Sequence, residues 1–211
     1  MKLFQLKALG IAALLFMAVY VPAFLAVGLI KPRTQAAIPM IIGMSLAIAL
    51  ILISLLAGDS NGFSQFGFKL SNYCYIGVAV VLGVAVGLPL TFVVSRFNST
   101  NPFGEVSLTP WMIVLYFIVG TPVQEEVIFR GLLQTTLERR FVGFRLLRRS
   151  VSVAALVIAV LFGLIHLGIG VLTAIAAFVL GLLAGELRRR SSSLLPAIVL
   201  HAIFNGFSAI L

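Results

Sequence analysis

The chain has 211 residues, of which 61% are hydrophobic and only 10% are charged, and its formal net charge is +9. Soluble domains carry about 25% charged residues, so the composition excludes an ordinary soluble protein. The arginines are concentrated in short segments between long apolar runs. This distribution is typical of the connections of a membrane protein, and it excludes a nucleic-acid reader as the explanation of the positive charge.

Seven apolar segments follow one another along the chain with short connections. A helix needs about 20 apolar residues to cross a hydrocarbon core of about 30 Å. The sequence therefore predicts an all-α fold, a polytopic membrane helical bundle of about seven transmembrane helices. They are expected at residues 8–30, 35–57, 73–95, 110–137, 150–167, 170–187 and 194–211. Three spans fall in residues 1–106 and four in residues 107–211, within a single integral membrane domain.

Basic residues predict how the bundle is oriented. Eleven of them fall on the side that holds the amino terminus, and three fall on the other side. The eleven are Lys2, Lys7, Lys69, Arg139, Arg140, Arg145, Arg148, Arg149, Arg188, Arg189 and Arg190, and the three are Lys31, Arg33 and Arg96. The positive-inside rule then predicts a cytoplasmic amino terminus and an outer carboxyl terminus. We expect anionic lipid headgroups to be partners of the basic connections.

Two adjacent glutamates interrupt the fourth apolar segment, in the stretch TPVQEEVIFRG at residues 121–131. A charged side chain at mid-bilayer costs about 2.5–3.5 kcal/mol on insertion scales, so such residues usually have a partner and a function. Glu126 and Arg130 are four residues apart and are expected to pair on one helix face. Glu125 points about 100° away and need not share that partner. The pattern alone also allows a purely structural ion pair, with Glu125 as a bystander.

The residues just before the glutamates carry the signals of a helix start. Gly120 ends an apolar run, Thr121 and Gln124 form a T-x-x-Q capping box, and Pro122 suits a first helical position. We therefore expect the helix to break or kink at this point. The glutamates would then lie in the first two turns of the new segment, where the helix dipole favours negative charge.

Both histidines of the chain lie in predicted spans. His166 ends the stretch LFGLIH, and His201 begins HAIFN, with Asn205 one helical turn later. Either histidine alone suits a packing or hydrogen-bonding role. Because polar groups inside a membrane bundle usually pair with one another, we expect the glutamates, the histidines and Asn205 to meet in one pocket.

Two carboxylates, two imidazoles and an amide suit the hydrolysis of a peptide bond. A glutamate helped by a histidine would deprotonate a water, and the Asn205 amide with the second imidazole would stabilise the oxyanion. Alternatively, His166, His201 and Glu125 would hold a zinc ion, since three protein ligands and a water form the usual catalytic arrangement. The sequence lacks H-E-x-x-H, which excludes a zincin site. The metal-free and zinc versions both stay open.

Three linked motifs give the sequence a resemblance to a known family. The stretches TPVQEEVIFRGLL, LFGLIH and LLPAIVLHAIFN contain EExxxR, FxxxH and HxxxN in that order. Over roughly residues 107–211 they resemble the CAAX protease and bacteriocin-processing (CPBP, Abi-like) family. The resemblance implies a CAAX-protease-like intramembrane endopeptidase, of metallo- or glutamate type, that acts on a peptide or protein at the membrane. The compact length and short connections then suggest a member from a prokaryotic cytoplasmic membrane.

The resemblance also assigns roles to the motif residues. Glu125 matches the catalytic base, and His166 matches its partner on the water. Glu126 and Arg130 match the orienting or ionic partners of the first motif. The last motif, His201 and Asn205, matches the oxyanion-stabilising or ligand positions.

Two other functions fit the same apolar bundle. A non-enzymatic membrane scaffold or bacteriocin self-immunity factor would keep the fold and bind a partner without hydrolysis. A proton-coupled transporter would use the carboxylate and imidazoles as a relay. The transporter predicts paired broken helices, whereas the sequence indicates a single break at residues 120–122.

Overall fold

The computed structural model describes residues 2–30, 36–97, 108–140, 145–146 and 151–211. Its helices are α1 Lys2–Ile30, α2 Ala37–Ala57, α3 Ser60–Gln65, α4 Tyr73–Phe97, α5 Pro110–Arg140, α6 Val153–Ile165, α7 Val171–Ser191 and α8 Leu195–Ile210. Strands β1 Arg145–Leu146 and β2 Val151–Ser152 pair antiparallel. The predictions for Lys31, Arg33, Arg148 and Arg149, and the boundary between residues 106 and 107, lie outside the described residues.

The prediction of an all-α membrane bundle is confirmed; in the described ranges the short helix α3 and the small β1–β2 pair are additions to the predicted spans. Five of the described helices are long and apolar enough to cross a membrane. They are α1, α2, α4, α5 and α7. Helices α6 and α8, of 13 and 16 residues, are apolar but shorter. Together these seven match the seven predicted spans.

Helix α5 is the centre of the bundle. Every residue from Glu126 to Leu137 is buried, including the polar ones. The outer helices instead expose large apolar side chains such as Leu14 and Leu55. A helix that is apolar on the outside of a bundle faces lipid, because there is no water to penalise its exposure. The bundle therefore inverts the soluble pattern and keeps its charged cluster inside.

The prediction that α5 breaks at residues 120–122 is wrong. Gly120 and Thr121 both have helical backbone angles, and the helix runs through Pro122 without a cap. The turns instead widen to π-helical form at Ile113–Gly120 and again at Val127–Gln134. The Thr121 hydroxyl donates to a carbonyl oxygen five residues earlier, at 2.9 Å, rather than capping a new segment. A wide turn tolerates the missing proline N–H, so the sequence signals of a helix start were misleading.

Helices α6 and α7 approach closely through two glycines. A Cβ added at Gly181 would lie 3.1 Å from the Cα of Ala159, and one at Gly185 would lie 3.1 Å from the Cβ of Ala155. Small residues at this spacing let two helices pack backbone to backbone inside a membrane. The Gly181–Gly185 pair therefore packs the bundle itself.

A polar network ties several elements together at one end of the bundle, which we call the arginine end (residues 65–69, 135–140, 152 and 186–194). Arg188, predicted in a connection, is instead a buried residue of α7. Its Nη2 atom donates to the backbone oxygen of Gln65 at 2.7 Å and to Thr135 Oγ1 at 3.3 Å. Gly67 has a φ of +96°, and a Cβ there would lie 2.5 Å from Arg188 Nε. Only glycine fits this approach.

Candidate active site

Glu126 is the centre of a buried ionic chain. Its Oε1 atom lies 2.8 Å from His201 Nδ1, and its Oε2 atom lies 3.1 Å from Arg130 Nε. Both Glu126 and Arg130 are fully buried. The arginine contact is an ion pair without hydrogen-bond alignment, and the guanidinium also lies 4.7 Å from the ring centroid of Phe162. A cation over an aromatic face gains electrostatic stabilisation, which matters for a charge removed from water.

His201 connects this ionic chain to Glu125. Its Nε2 atom lies 3.7 Å from Glu125 Oε2. Because the Glu126 carboxylate can only accept, we assign a proton to His201 Nδ1 from this partner. The Nε2 edge of the ring is then directed towards Glu125. Glu125 Oε2 is buried and has no hydrogen-bond partner among the described residues.

His166 lies at the carboxyl-terminal end of α6. Its Nδ1 atom is 2.7 Å from the backbone oxygen of Phe162, one turn earlier in the F-x-x-x-H motif. A carbonyl oxygen only accepts, so Nδ1 is the donor, and in the neutral ring Nε2 keeps its lone pair. The same residue, Phe162, packs its ring 4.7 Å from the His166 ring and 5.8 Å from the His201 ring, centroid to centroid. The FxxxH motif therefore holds both imidazoles.

Asn205 is held by the irregular geometry of α5. Its Nδ2 atom donates to the backbone oxygen of Phe117 at 2.8 Å. In this π-helical stretch the backbone bonds span five residues, as from the N–H of Thr121 to the oxygen of Tyr116. The same pattern would pair the Phe117 oxygen with Pro122, which has no N–H to donate. Asn205 supplies that donor, and its second Nδ2 hydrogen stays available.

A cavity of about 580 Å³ brings four of the predicted site residues together. Glu125, His166, His201 and Asn205 all line it, whereas Glu126 and Arg130 are not among its lining residues. The rest of the wall is mainly apolar and includes Ile38, Ile41, Val94, Ile169 and Leu180. A largely apolar cavity of this size with a few convergent polar groups is the usual form of a ligand site.

Gln124, expected to complete a capping box, instead contacts Tyr20, a residue that the sequence reasoning did not single out. Gln124, almost fully buried, donates from Nε2 to the hydroxyl oxygen of Tyr20 at 3.2 Å. The Tyr20 ring in turn packs against Phe129 of α5, with centroids 6.3 Å apart. This contact joins α1 to the turn that carries Glu125. A buried glutamine in an apolar helix does signal the need for a partner, but nothing in the sequence points to a residue 104 positions away.

The described residues do not gather the three ligands that a zinc site of the predicted kind needs. Among the described residues, no group of three or more His, Cys, Asp or Glu side chains is arranged to hold a metal ion. The proposed set of His166, His201 and Glu125 is no exception, although all three line one cavity. Zinc chemistry needs three protein ligands on one ion. We therefore derive no step through a metal.

The fold and the cavity define a class of protein: a polytopic membrane protein with a buried glutamate–histidine cluster that opens to an apolar cavity. A comparison of the sequence with models of known protein families narrows this class to proteases. Residues 107–207 match the family described as "Type II CAAX prenyl endopeptidase Rce1-like". The match covers slightly less than half of the chain; it confirms the resemblance over these residues and supports an intramembrane endopeptidase. No curated protein and no solved structure matches the chain.

Proposed function

We propose that this protein hydrolyses a peptide bond of a membrane-associated peptide or protein with a water molecule activated by Glu125. The observation that carries the proposal is the unequal surroundings of the two glutamates. Glu126 is fully buried between Arg130 and His201, while the side chain of Glu125 is 15% exposed and lines the cavity. Glu125 is therefore the carboxylate that can meet water and substrate.

Arg130 makes the roles of the two glutamates different. The charge of Glu126 is compensated by the Arg130 guanidinium and committed to orienting His201. Both oxygens of this carboxylate already face a partner inside the bundle, so it has no free edge to offer to a water in the cavity. Glu125 faces no such cation among the described residues that line the cavity. This asymmetry supports Glu125 as the general base and Glu126 as a positioning residue.

The reaction follows from these roles. A water between Glu125 and the Nε2 lone pair of His166 gives a proton to the Glu125 carboxylate, and its oxygen attacks the carbonyl carbon of the substrate. The carbonyl oxygen becomes an oxyanion in a tetrahedral intermediate. The carbon–nitrogen bond then breaks, and the proton held by Glu125 passes to the leaving amine. Water is consumed, and a carboxylic acid and an amine are released.

Asn205 and His201 line the cavity, and in this mechanism the oxyanion forms beside them. The Phe117 carbonyl fixes one amide hydrogen of Asn205 and so orients the other. His201 lies on the same wall, with its Nε2 atom 3.7 Å from Glu125 Oε2. Preorganised donors of this kind are often worth about 3–4 kcal/mol in the transition state.

The test compares membrane peptidomes of cells that contain the wild-type protein or the Glu125→Gln variant. Glu138→Gln is the matched control, because Glu138 lies on the same helix at the arginine end and does not line the cavity. We expect a set of peptide products that disappears with Glu125→Gln and persists with Glu138→Gln at equal protein levels. Products that persist in both variants would overturn the proposal and favour a scaffold.

A further inference from the structure

The cavity is confined to one half of the bundle, opposite the arginine end. In α5, which ends at the arginine end, its lining residues run from Tyr116 to Glu125 and do not extend into the second half of the helix. In α7, which also ends there, they stop at Leu180. In α8, which begins there, they start only at His201. The catalytic groups therefore belong to the end of the bundle farther from the arginines.

The cavity also reaches the surface at that end. Ser95, near the end of α4, and Ser208, near the end of α8, are both exposed, and both line the cavity. A rim of small hydroxyl side chains around an apolar interior suits an opening to water, because the hydroxyls can exchange partners with solvent at little cost.

Charge assigns this opening to a side of the membrane. The arginine end carries Lys69, Arg139, Arg140 and Arg188–Arg190, whereas the described residues near the opening contribute Arg96. The whole sequence has eleven basic residues on the first side and three on the second. Since positively charged connections stay in the cytoplasm, the arginine end is cytoplasmic and the serine rim faces outward.

The cavity wall also limits the chemistry of the substrate. Among the described residues that line it, none is a lysine or an arginine, and Glu125 is the one acidic residue. A free terminal carboxylate would find no cation on this part of the wall and would be repelled by Glu125. The side chains of Ile38, Ile41, Val94 and Ile169 instead favour apolar groups.

We propose that the cavity opens on the extracytoplasmic face and admits an internal, apolar peptide segment presented from that face. The claim about the substrate rests on the proposed hydrolase function. The position of the opening and its preference for apolar peptides can be tested without measuring cleavage. An internal segment needs no cation for a terminal carboxylate, and its apolar side chains match the wall. The reaction class that supplies such a substrate is export or insertion of a peptide across the membrane.

The test uses two thiols at opposite ends of α4. Cys74 is the native cysteine, is exposed, and lies one residue after the start of the helix. Ser95→Cys adds a second thiol 21 residues later on the same helix, about 30 Å away at 1.5 Å per residue. Intact spheroplasts that contain the wild type, Ser95→Cys or Ser95→Cys/Cys74→Ser are treated with a membrane-impermeant maleimide. Ser208→Cys in the Cys74→Ser background provides an independent position on the rim.

We expect the thiols introduced by Ser95→Cys and Ser208→Cys to be labelled in intact spheroplasts and the native Cys74 to be labelled only after permeabilisation. Acetyl-tetraleucine amide should slow labelling of the rim thiols at least about threefold, and acetyl-tetralysine amide should not. Labelling of Cys74 from outside, or rim thiols that react only after permeabilisation, would overturn the outward opening. Equal effects of the two peptides would overturn the apolar specificity. Neither result depends on cleavage, so failure of the hydrolase proposal is detected separately by Glu125→Gln.

Discussion

Glu126 and His201, 75 residues apart in the sequence, meet through a contact of 2.8 Å between Oε1 and Nδ1 in the interior of the bundle. The contact links α5 to α8 and sets the direction of the imidazole. It also determines which of the two adjacent glutamates remains exposed to the cavity. The catalytic proposal and the stability of the bundle therefore depend on the same pair.

The first prediction concerns this pair and stability. Glu126→Gln removes the negative charge beside Arg130 and leaves a fully buried guanidinium uncompensated. Breaking a buried ion pair from one side typically costs about 3–5 kcal/mol. We expect a clear fall in the thermal unfolding midpoint in detergent. The double variant Glu126→Gln/Arg130→Met should recover part of the loss because it removes both charges. A single variant as stable as the wild type would contradict a structural role for the pair.

The second prediction concerns Pro122, which has no N–H to donate to the Phe117 carbonyl that Asn205 contacts. Pro122→Ala restores a backbone N–H that competes for that carbonyl and so loosens Asn205. We expect product formation to fall at least about tenfold. Deleting an oxyanion donor outright typically lowers kcat by about 100- to 1,000-fold, and Pro122→Ala only weakens one. The unfolding midpoint should stay the same or rise.

Pro89→Ala is the control for this prediction. Pro89 also follows a π-helical stretch, Gly83–Gly87, but it is exposed and does not line the cavity. Pro89→Ala also restores a backbone N–H, but at a position away from the cavity. Product formation should therefore stay within about twofold of the wild type. Equal losses in both proline variants would show that the effect is on the helix rather than on Asn205.

The third prediction concerns the close approach of α6 and α7. A Cβ at Gly181 would lie 3.3 Å from Arg130 Nη2 as well as 3.1 Å from Ala159 Cα. Overpacking of this kind costs about 1–3 kcal/mol, so Gly181→Ala should lower the unfolding midpoint. Gly206→Ala is the control, since a Cβ there meets nothing within 4 Å. That variant should be neutral or stabilising, because alanine is the better helix former. A loss in both, or in neither, would contradict the packing role of Gly181.

The sequence was most informative where composition alone determines structure. Long apolar runs predict spanning helices regardless of tertiary contacts, which is why the seven helices agree with the prediction. Spacing on one helix also sufficed for the Glu126–Arg130 pair. The meeting of α5, α6 and α8 at the cavity was expected only because buried polar groups need partners.

The sequence was misleading where a partner on another helix changes the local rule. The Gly120-Thr121-Pro122 signals would start a helix in water, yet here a π-helical turn and the Asn205 amide satisfy the backbone around the proline. Arg188 was expected in a connection with its neighbours, but the backbone oxygen of Gln65 binds it inside the bundle. Both errors arise from long-range contacts that no local pattern records.

The fourth prediction concerns metal dependence. Because the described residues do not gather three ligands, we expect product formation by the purified protein to be unchanged by 1,10-phenanthroline. Elemental analysis of the same sample should find far less than one zinc per chain. Stoichiometric zinc, with activity lost on chelation and restored by zinc, would show that the side chains rearrange around an ion.

The most direct test of the central claim is a single-turnover measurement on a peptide identified in the membrane peptidome. Purified wild-type protein, Glu125→Gln and Glu138→Gln are compared in the same lipid at enzyme excess. We predict that Glu125→Gln lowers the rate at least about 100-fold, as expected for loss of a general base, while Glu138→Gln stays within about threefold. A Glu125→Gln rate close to that of the wild type would contradict the claim that this carboxylate activates the water.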